Sequence, residues 1–195
     1  MSDAPTRIEY LVRRALLVDV PTLADIHVRA WRESYRGIVS DAALDRLSVE
    51  RRALQHAERI GRPLDDSATY VAIEPGRGVV GFGVCGPRRS GPPDFEGEFY
   101  ALYLLDRAKG QGLGRRLMAH MAEWFVSREL SSAFVLALKE NHPARRFYER
   151  LGGVECFDQP FTLQGESYRE IGYGWRDVSI LARPASPPIG RPSGA

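Results

Sequence analysis

Apolar residues recur at helical spacing in several parts of the chain. The clearest set is Leu113, Leu117, Met121 and Trp124, which follow one another at intervals of three or four residues and so share one face of a helix. The same periodicity, together with residues that favour helix starts, predicts four helical segments. They are a helix beginning at Asp19-Val20-Pro21, a segment over 41–60 with a break near Leu47-Ser48, a helix over 112–129, and a helix from Asn141 to Leu151.

Short runs rich in β-branched and aromatic residues predict seven strands between these helices. They cover residues 8–18, 68–73, 79–86, 96–105, 133–138, 154–157 and 167–178. This order of elements predicts an α/β (α+β) fold with a single mixed, mostly antiparallel twisted sheet and helices on both faces. We expect a flexible leader over 1–7, one domain over 8–180, and a Pro/Gly/Ser-rich tail over 181–195.

A glycine-rich turn joins the strand over 96–105 to the longest helix. Gly110, Gly112 and Gly114 alternate there, between the cations Lys109 and Arg115. Glycine allows a ligand to approach the backbone closely, and the free N–H groups and dipole of a helix N-terminus favour an anion. The pattern predicts a phosphate-binding turn, although a turn that only lets a helix pack closely would have the same sequence.

A second glycine pattern, over 81–86, matches the dinucleotide-binding motif GxGxxG, but Pro87 and two arginines follow it instead of a helix. We therefore interpret it as part of a strand and exclude a Rossmann-type site. The sequence GxxxxGK[ST] of a P-loop does not occur. The turn over 109–115 is thus the remaining phosphate-binding prediction.

Composition and charge narrow the function further. The 195 residues carry a net charge of only +2, so nothing indicates nucleic acid as a partner. Apolar runs are shorter than the roughly 20 residues that cross a membrane. The two cysteines, Cys85 and Cys156, have no second Cys or His at metal-ligand spacing and do not form a disulfide framework. We therefore expect no metal and a reducing, cytoplasmic location.

Three ring-bearing residues of the first helix share a face. His27, Trp31 and Tyr35 are spaced four residues apart, which brings their side chains together on a helix surface. Two interpretations fit this set. It is either core packing with polar tips at the surface, or the wall of a substrate pocket.

Several segments match the pattern of a known family. They are the glycine turn (family pattern Arg/Gln-x-x-Gly-x-Gly/Ala), the strand over 97–104, the run Leu138-x-x-Asn141-x-x-Ala144-x-x-Phe147-Tyr148-Glu149-x-Leu151-Gly152, and the opening His27-x-x-x-Trp31-Arg32-x-x-Tyr35-x-Gly37. On these residues the sequence resembles the GNAT superfamily of acyl-CoA-dependent N-acyltransferases, over residues 8–178. Two positions depart from the pattern: Lys109 replaces Arg or Gln, and Gly153 replaces a large apolar residue.

The resemblance implies a GNAT-like fold in which two central parallel strands splay apart, here those over 96–105 and 133–138. It implies acetyl-CoA as the co-substrate. The amides of the glycine turn would bind the coenzyme A pyrophosphate, the backbone of the first splayed strand would pair with the pantetheine arm, and Asn141 would lie near the thiol end. The expected coenzyme-binding residues are Leu102, Tyr103, Leu104, Lys109, Gly110, Gln111, Gly112, Leu113, Gly114, Arg115, Asn141 and Tyr148.

The resemblance also implies catalytic roles. Tyr148 would lie beside the sulfur and donate a proton to the leaving thiolate. Glu98 matches a position where some family members carry a base, and strand alternation places it on the face of Leu102; Glu96 and His27 are competitors. The implied enzyme is an N-acetyltransferase in which a primary amine attacks the thioester directly. The alternatives are a non-catalytic acyl-CoA-binding sensor on the same fold and a protein that binds another phosphate ligand.

The sequence leaves the amine open between a polyamine, an amino sugar, a free amino acid and a protein amine. We expect its pocket to form from the first two helices and the loops over 87–94 and 158–167, with His27, Trp31 and Tyr35 binding the substrate. The expected partner is a small-molecule or peptide amine, with no nucleic acid and no membrane, and a homodimer is left open. Carboxylates available to a cationic acceptor are Glu33, Asp41, Asp94 and Glu96.

Overall fold

A single seven-stranded sheet runs through the centre of the computed structural model, which describes residues 9–62 and 66–182. The strands are β1 (Leu11–Arg14), β2 (Ala68–Glu74), β3 (Gly78–Pro87), β4 (Gly97–Leu104), β5 (Ala133–Leu138), β6 (Val154–Leu163) and β7 (Glu166–Trp175). They lie in the order β1-β2-β3-β4-β5-β7-β6. Neighbouring strands are antiparallel except for β4 and β5, which are parallel. The predicted mixed, mostly antiparallel sheet is confirmed.

Helices cover both faces of this sheet, as predicted. They are α1 (Val20–Tyr35), α2 (Asp41–Asp45), α3 (Val49–Gly61), α4 (Leu113–Ser127), α5 (His142–Arg150) and α6 (Ser179–Ala182). On one face α1 packs against α3, β3 and β4, and on the other α4 packs against β2, β3, β4 and α6. The predicted break separates α2 from α3, because the Ser48 hydroxyl accepts a hydrogen bond from the Arg51 N–H and starts a new helix.

The apolar stripe of α4 supplies the core on its side of the sheet. Leu113, Leu117 and Met121 of the predicted stripe are fully buried. Burying one such side chain stabilises the fold by about 1.5–3 kcal/mol. Gly97 allows the helix to approach β4, because a Cβ there would lie 2.5 Å from a ring carbon of Phe125. The sequence pattern therefore identified this helix correctly.

A β-bulge in β4 decides which side chains reach each face of the sheet. Phe99 and Ala101 of β4 pair with two adjacent residues of β3, Cys85 and Val84. Tyr100, which lies between them, is therefore an extra residue in β4. A bulge of this kind shifts the alternation of the strand by one position. Leu102 consequently packs towards α4, whereas Glu98 lines a cavity on the α1–α3 side. The prediction that Glu98 shares a face with Leu102 is wrong for this reason.

The parallel strands β4 and β5 separate after a short paired stretch. Residues 97–99 of β4 pair with residues 133–135 of β5, and no further pairing between the two strands is formed in the described chain. The bulge favours this separation because it bends β4 and increases its twist. The splayed parallel pair that the resemblance implies is therefore present.

The first strand is shorter than the predicted range over 8–18. Asp19 forms an ion pair with Arg13 at 2.7 Å and accepts a hydrogen bond from the Leu16 N–H. These contacts fold the chain after β1 into a 3-10 turn over Leu17–Asp19. A local polar contact therefore ended a strand that the apolar pattern alone would continue.

The last two strands form a longer hairpin than predicted. The strand predicted over 154–157 continues to Leu163, where the turn at Gln164 and Gly165 leads directly into β7. The segment over 158–167, predicted as a loop, is therefore mostly paired. Because β6 is an edge strand with exposed residues at alternate positions, its hydrophobic signal is weak.

The end of the domain also differs from prediction. Leu181 is only 5% exposed and belongs to α6, which ends at Ala182, so a helix covers the first two residues of the range predicted as a tail. Residues 183–195 and the predicted leader over 1–7 lie outside the described residues. Among the helices that the structure describes, none combines the length and the apolar character needed to cross a bilayer.

Candidate functional site

Two cavities meet where β4 and β5 separate. The first, which we call the strand groove, has a volume of about 580 Å³ and is lined by the two splayed strands, the glycine turn and α5. The second, the α1–α3 cavity, has a volume of about 700 Å³ and is lined by α1, α3, the bulged part of β4 and the β6–β7 hairpin. Tyr35, Tyr103 and Leu136 line both. Molecules bound in the two cavities would therefore meet at these residues.

The N-terminus of α4 forms the polar end of the strand groove. Gly112 is its N-cap, and the Arg116 N–H donates a hydrogen bond to the Gly112 carbonyl at 3.1 Å. The N–H groups between them have no partner within the helix. Gly110 and Gly112 both have a φ of +74°, and a Cβ on either would meet no atom within 4 Å. The turn is thus open to a ligand, and its unpaired amides and helix dipole suit a phosphate.

The third glycine and the flanking residues have other roles. A Cβ on Gly114 would lie 3.0 Å from the Phe147 ring, so this glycine lets α4 pack on α5. Gly110 and Gly112 therefore fit the interpretation as a phosphate-binding turn, and Gly114 fits the interpretation as a site of close helix packing. Lys109 lines the groove while paired with a neighbouring aspartate at 2.5 Å, and Arg115 also lines it. Gln111, which belongs to the predicted coenzyme-binding set, does not line the groove.

One wall of the strand groove is the unpaired edge of β4. Leu102, Tyr103 and Leu104 line the groove, as do Leu136 and Ala137 of β5. Beyond residue 99, the backbone N–H and C=O groups of β4 that face β5 have no strand partner in the part of the chain that the structure describes. An extended molecule with its own amides can pair with such an edge. The geometry therefore suits the predicted contact with a pantetheine arm.

Tyr148 and Asn141 line the strand groove close to Tyr35. The Asn141 Oδ1 accepts a hydrogen bond from the Ala144 N–H at 3.2 Å, which caps α5 and fixes the side chain. Tyr148 is 6% exposed, and burial, followed by the proximity of Tyr35, raises its pKa well above the ordinary value. Its hydroxyl is protonated at neutral pH, which is the state that a proton donor requires.

The predicted substrate-binding residues of α1 all line the α1–α3 cavity. They also pack against the sheet: Trp31 Nε1 donates a hydrogen bond to the Tyr103 hydroxyl at 2.7 Å, and the rings of His27 and Tyr103 lie 4.9 Å apart. Tyr35 belongs to the same set and lies with its ring 4.6 Å from that of Trp31. The two interpretations are therefore compatible, since one face of these rings packs and another bounds the cavity.

Two histidines face each other between α1 and α3. Nδ1 of His27 lies 3.4 Å from Nε2 of His56. Burial, followed by nearby positive charges that include Arg52 and Arg59, lowers the pKa of His27 to about 2 and that of His56 to about 4. Both imidazoles are neutral at neutral pH. An imidazole with so low a pKa is a weak base, which counts against His27 as the competitor of Glu98.

Two carboxylates from the sheet line the α1–α3 cavity. Glu98 is 2% exposed, and its carboxylate accepts hydrogen bonds from the backbone and the side chain of Arg89. Glu170 of β7 accepts one from the Gln159 amide at 3.2 Å, and burial raises its pKa. The sequence analysis did not identify Glu170. A signal was present, because Glu166, Tyr168 and Glu170 alternate on one face of β7.

The other predicted carboxylates lie elsewhere. Glu33 lines the strand groove, whereas Asp41, Asp94 and Glu96 line neither cavity. Glu96 accepts a hydrogen bond from the Ser131 N–H at 2.6 Å. Within residues 9–62 and 66–182, no group of three or more His, Cys, Asp and Glu side chains is arranged to hold a metal ion. The four carboxylates named as available to a cationic acceptor therefore do not line the α1–α3 cavity.

Comparisons with known proteins agree with this geometry. A family model described as the acetyltransferase (GNAT) family matches residues 23–153. The chain is 33% identical over 170 residues to the uncharacterized N-acetyltransferase YuaI of Bacillus subtilis (strain 168), and the alignment covers 87% of this chain and 95% of that protein. The resemblance inferred from the sequence motifs is thereby confirmed.

Solved structures share the fold at lower identity. PaiA N-acetyltransferase from Thermoplasma acidophilum in complex with coenzyme A has a TM-score of 0.66 at 16% identity, covering 84% of this chain and 98% of its own. YncA from Salmonella typhimurium with its cofactor acetyl-CoA has a TM-score of 0.66 at 18% identity, and the match covers 93% of this chain and 99% of that protein. The family model and the relative from Bacillus subtilis establish that this chain is an acyltransferase of the acetyltransferase (GNAT) family.

Proposed function

We propose that this enzyme transfers the acetyl group of acetyl-CoA to a primary amine by direct attack of the amine on the thioester. The coenzyme would occupy the strand groove, and the amine would enter through the α1–α3 cavity. One observation carries the proposal: the open glycine turn, the unpaired edge of β4 and Tyr148 line one groove, which meets the second cavity at Tyr35, Tyr103 and Leu136.

The residues of the strand groove suit the successive parts of the coenzyme. The amides before Arg116 would bind the diphosphate, aided by the dipole of α4. The edge of β4 at Leu102 and Leu104 would pair with the amides of the pantetheine arm, and Asn141 and Tyr148 would lie near the sulfur. When bound, the thioester supplies an electrophilic carbonyl and a thiolate leaving group.

Side chains of the protein would move the protons. Tyr148, which burial keeps protonated, would donate to the thiolate. The amine must lose a proton to react, and the carboxylates of Glu98 and Glu170 both line the cavity that would hold it. A raised pKa brings a carboxylate closer to the pH at which a base works best, which favours Glu170. Glu98, the base predicted from the sequence, is in addition bound by Arg89.

Release of free thiol from acetyl-CoA in the presence of a panel of primary amines tests this proposal. At least one amine should accelerate thiol release above the rate without an acceptor. Coenzyme A alone should also stabilise the protein, by about 2.7 kcal/mol at 100 times its dissociation constant. Binding of coenzyme A without thiol release for any amine would support the non-catalytic sensor, and absence of binding would overturn the proposal.

A matched pair of glycine variants tests the position of the coenzyme. Gly112 and Gly76 have φ values of +74° and +75°, and a Cβ on either meets no atom within 4 Å. Gly112→Val and Gly76→Val should therefore introduce similar backbone strain. Only Gly112→Val should weaken coenzyme A binding in calorimetric titration, by about tenfold, because it disturbs the amides at the N-terminus of α4. Equal affinities would mean that the diphosphate binds elsewhere.

A further inference from the structure

The wall of the α1–α3 cavity that α3 provides is positively charged. Arg52 and Arg59 line it from the helix, Arg62 from the position directly after the helix, and Arg89 from the segment after β3. Arg52 and Arg59 lie seven residues apart and therefore project from the same side of α3. His56 lies between them on that side and is 3% exposed. Four guanidinium groups thus surround the space assigned to the amine substrate.

Two of these four cations have carboxylate partners within the protein. Arg62 pairs with Glu58 at 2.5 Å, and Arg89 pairs with Glu98. Each pair cancels most of its own charge at the cavity wall. The positive charge that remains available to a ligand therefore depends on the other two arginines.

Arg52 and Arg59 have no such partner among the residues that the structure describes. Within residues 9–62 and 66–182, neither guanidinium lies within ion-pair distance of a carboxylate; Arg52 donates a hydrogen bond to the Gln55 side chain, and Arg59 lies 5.5 Å from the centre of the Tyr100 ring. Burial is the main cause that lowers the pKa of both groups. A partly buried cation without a counter-charge is costly, and an anionic ligand would offset that cost.

A carboxylate from the sheet also lines this cavity. Glu170 comes from β7, where it pairs with Leu138 of β5, and both residues line the cavity. Tyr35, one of the residues at the junction with the strand groove, is close enough to Glu170 for that carboxylate to contribute to raising the tyrosine pKa, after the larger effect of burial. The cavity therefore has a carboxylate near the reacting end and arginines on α3.

We propose that the acceptor is an amine that also carries a carboxylate or a similar oxyanion, as a free amino acid does, and that Arg52 and Arg59 bind this anionic group. The amino group would then point towards Glu170 and the junction of the two cavities. Guanidinium groups suit this role because they bind a carboxylate through two parallel hydrogen bonds. A polyamine would meet the unpaired arginines with like charge. The inference rests on the proposed acetyl transfer and specifies its substrate class.

Matched acceptors test the inference on the unmodified enzyme. The probes are the common α-amino acids, the carboxamide of each, and spermidine as a polyamine, with thiol release from acetyl-CoA as the readout. For the preferred side chain, kcat/KM should be roughly 10- to 100-fold higher for the amino acid than for its carboxamide, because the amide lacks the charge that the arginines bind. An equal or higher kcat/KM for carboxamides or spermidine would overturn the inference.

Variants of the two arginines test whether these side chains cause the preference for an anionic acceptor. Arg52→Gln and Arg59→Gln should each raise KM for the amino acid roughly 10-fold or more with little change in kcat, and should reduce its advantage over the carboxamide. Arg52→Lys should restore part of the affinity because it keeps the charge. Arg51→Gln is the matched control, since Arg51 is exposed on the same helix and does not line the cavity. An unchanged preference in both Gln variants would contradict the assignment.

Two further measurements separate this inference from the proposed function. Coenzyme A titration should give the same dissociation constant for Arg52→Gln and Arg59→Gln as for the wild type, which also shows that the variants are folded. If coenzyme A binds and neutral amines are acetylated as well as amino acids, acetyl transfer stands and the anionic acceptor is wrong. If neither coenzyme binding nor thiol release occurs with any probe, the proposed function itself fails.

Discussion

The strand groove and the α1–α3 cavity are built in opposite ways. The groove consists of backbone: a glycine turn, a helix N-terminus and the free edge of a splayed strand. The cavity consists of charged and aromatic side chains that α1, α3, β4 and β7 contribute separately. A ligand shared by many enzymes can be bound by backbone geometry, whereas selection of one acceptor requires particular side chains. Under the proposed function, the groove would bind the coenzyme and the cavity would select the acceptor.

The largest effect is expected for Tyr148, the proton donor proposed for the leaving thiolate. Tyr148→Phe removes a hydroxyl that lines the groove beside Tyr35. Loss of a proton donor should lower kcat by about 10²- to 10⁴-fold, while the dissociation constant of coenzyme A stays within twofold or so of wild type. Tyr70→Phe serves as the control, because Tyr70 lines neither cavity. Unchanged turnover would remove Tyr148 from the chemistry.

The next largest effect is expected for the two sheet carboxylates of the α1–α3 cavity, Glu170 and Glu98. Glu170→Gln should lower kcat/KM by about 10²-fold and remove the rise of the rate with increasing pH that deprotonation of this carboxyl produces. Glu98→Gln should have a smaller effect, because Glu98 is already bound by Arg89. Profiles of kcat/KM against pH for both variants decide between them. If Glu98→Gln has the larger effect, Glu98 is the base, as the sequence predicts.

The two histidines between α1 and α3 predict how stability depends on pH. Their folded-state pKa values, about 2 for His27 and about 4 for His56, lie below the ordinary value of 6.5. The unfolded chain therefore binds more protons below pH 6.5, and the free energy of unfolding falls as the pH is lowered from there towards 4. The slope contributed by each histidine is at most about 1.4 kcal/mol per pH unit.

Urea unfolding across this pH range measures the slope. His56→Gln should flatten it by removing one buried site that resists protonation. The control is His142→Gln, because His142 is exposed. An identical pH dependence in the His56 variant and the wild type would show that this histidine is not protected from protonation in the folded state.

The smallest expected effect concerns two helix-capping residues, Asn141 and Ser48, of which only Asn141 is also expected to bind the coenzyme. Asn141 caps α5 and lines the groove, whereas Ser48 caps α3 and lines neither cavity. Asn141→Ala and Ser48→Ala should each lower the free energy of unfolding by about 1 kcal/mol. Only the Asn141 variant should also weaken coenzyme A binding. Thermal unfolding with and without coenzyme A makes the comparison, and equal ligand-induced shifts would limit Asn141 to its capping role.

The groove could be predicted because its parts are local in sequence. The stripe Leu113, Leu117 and Met121 identified α4, the alternate glycines identified its N-terminus, and the uninterrupted apolar run over 133–138 identified β5. The resemblance supplied the pairing of these parts, which the order of the sheet confirms. Predicted roles for individual groove residues stay predictions until coenzyme binding is measured.

Of the α1–α3 cavity, the three residues of α1 could be predicted from the spacing along one helix, but the arginines and Glu170 could not, because they are distant in sequence. One extra residue in β4 moved Glu98 to the other face, and no local pattern marks a bulge at Tyr100. Glu170 and Arg52 are 118 positions apart by their numbers and line the same cavity only because β7 lies beside β5 and α3 packs on α1. None of the four carboxylates named as available from the sequence lines this cavity.

The sequence by itself determined the elements and the glycine turn, because each depends on periodicity or on the conformational needs of neighbouring residues, and its motifs carried the resemblance to the family. Tertiary structure alone decided the register of β4 and the charged side chains that line the α1–α3 cavity. Those features arise from hydrogen bonding and packing between segments far apart in the chain. Their free energies depend on which neighbours each segment meets, and a local pattern does not carry that information.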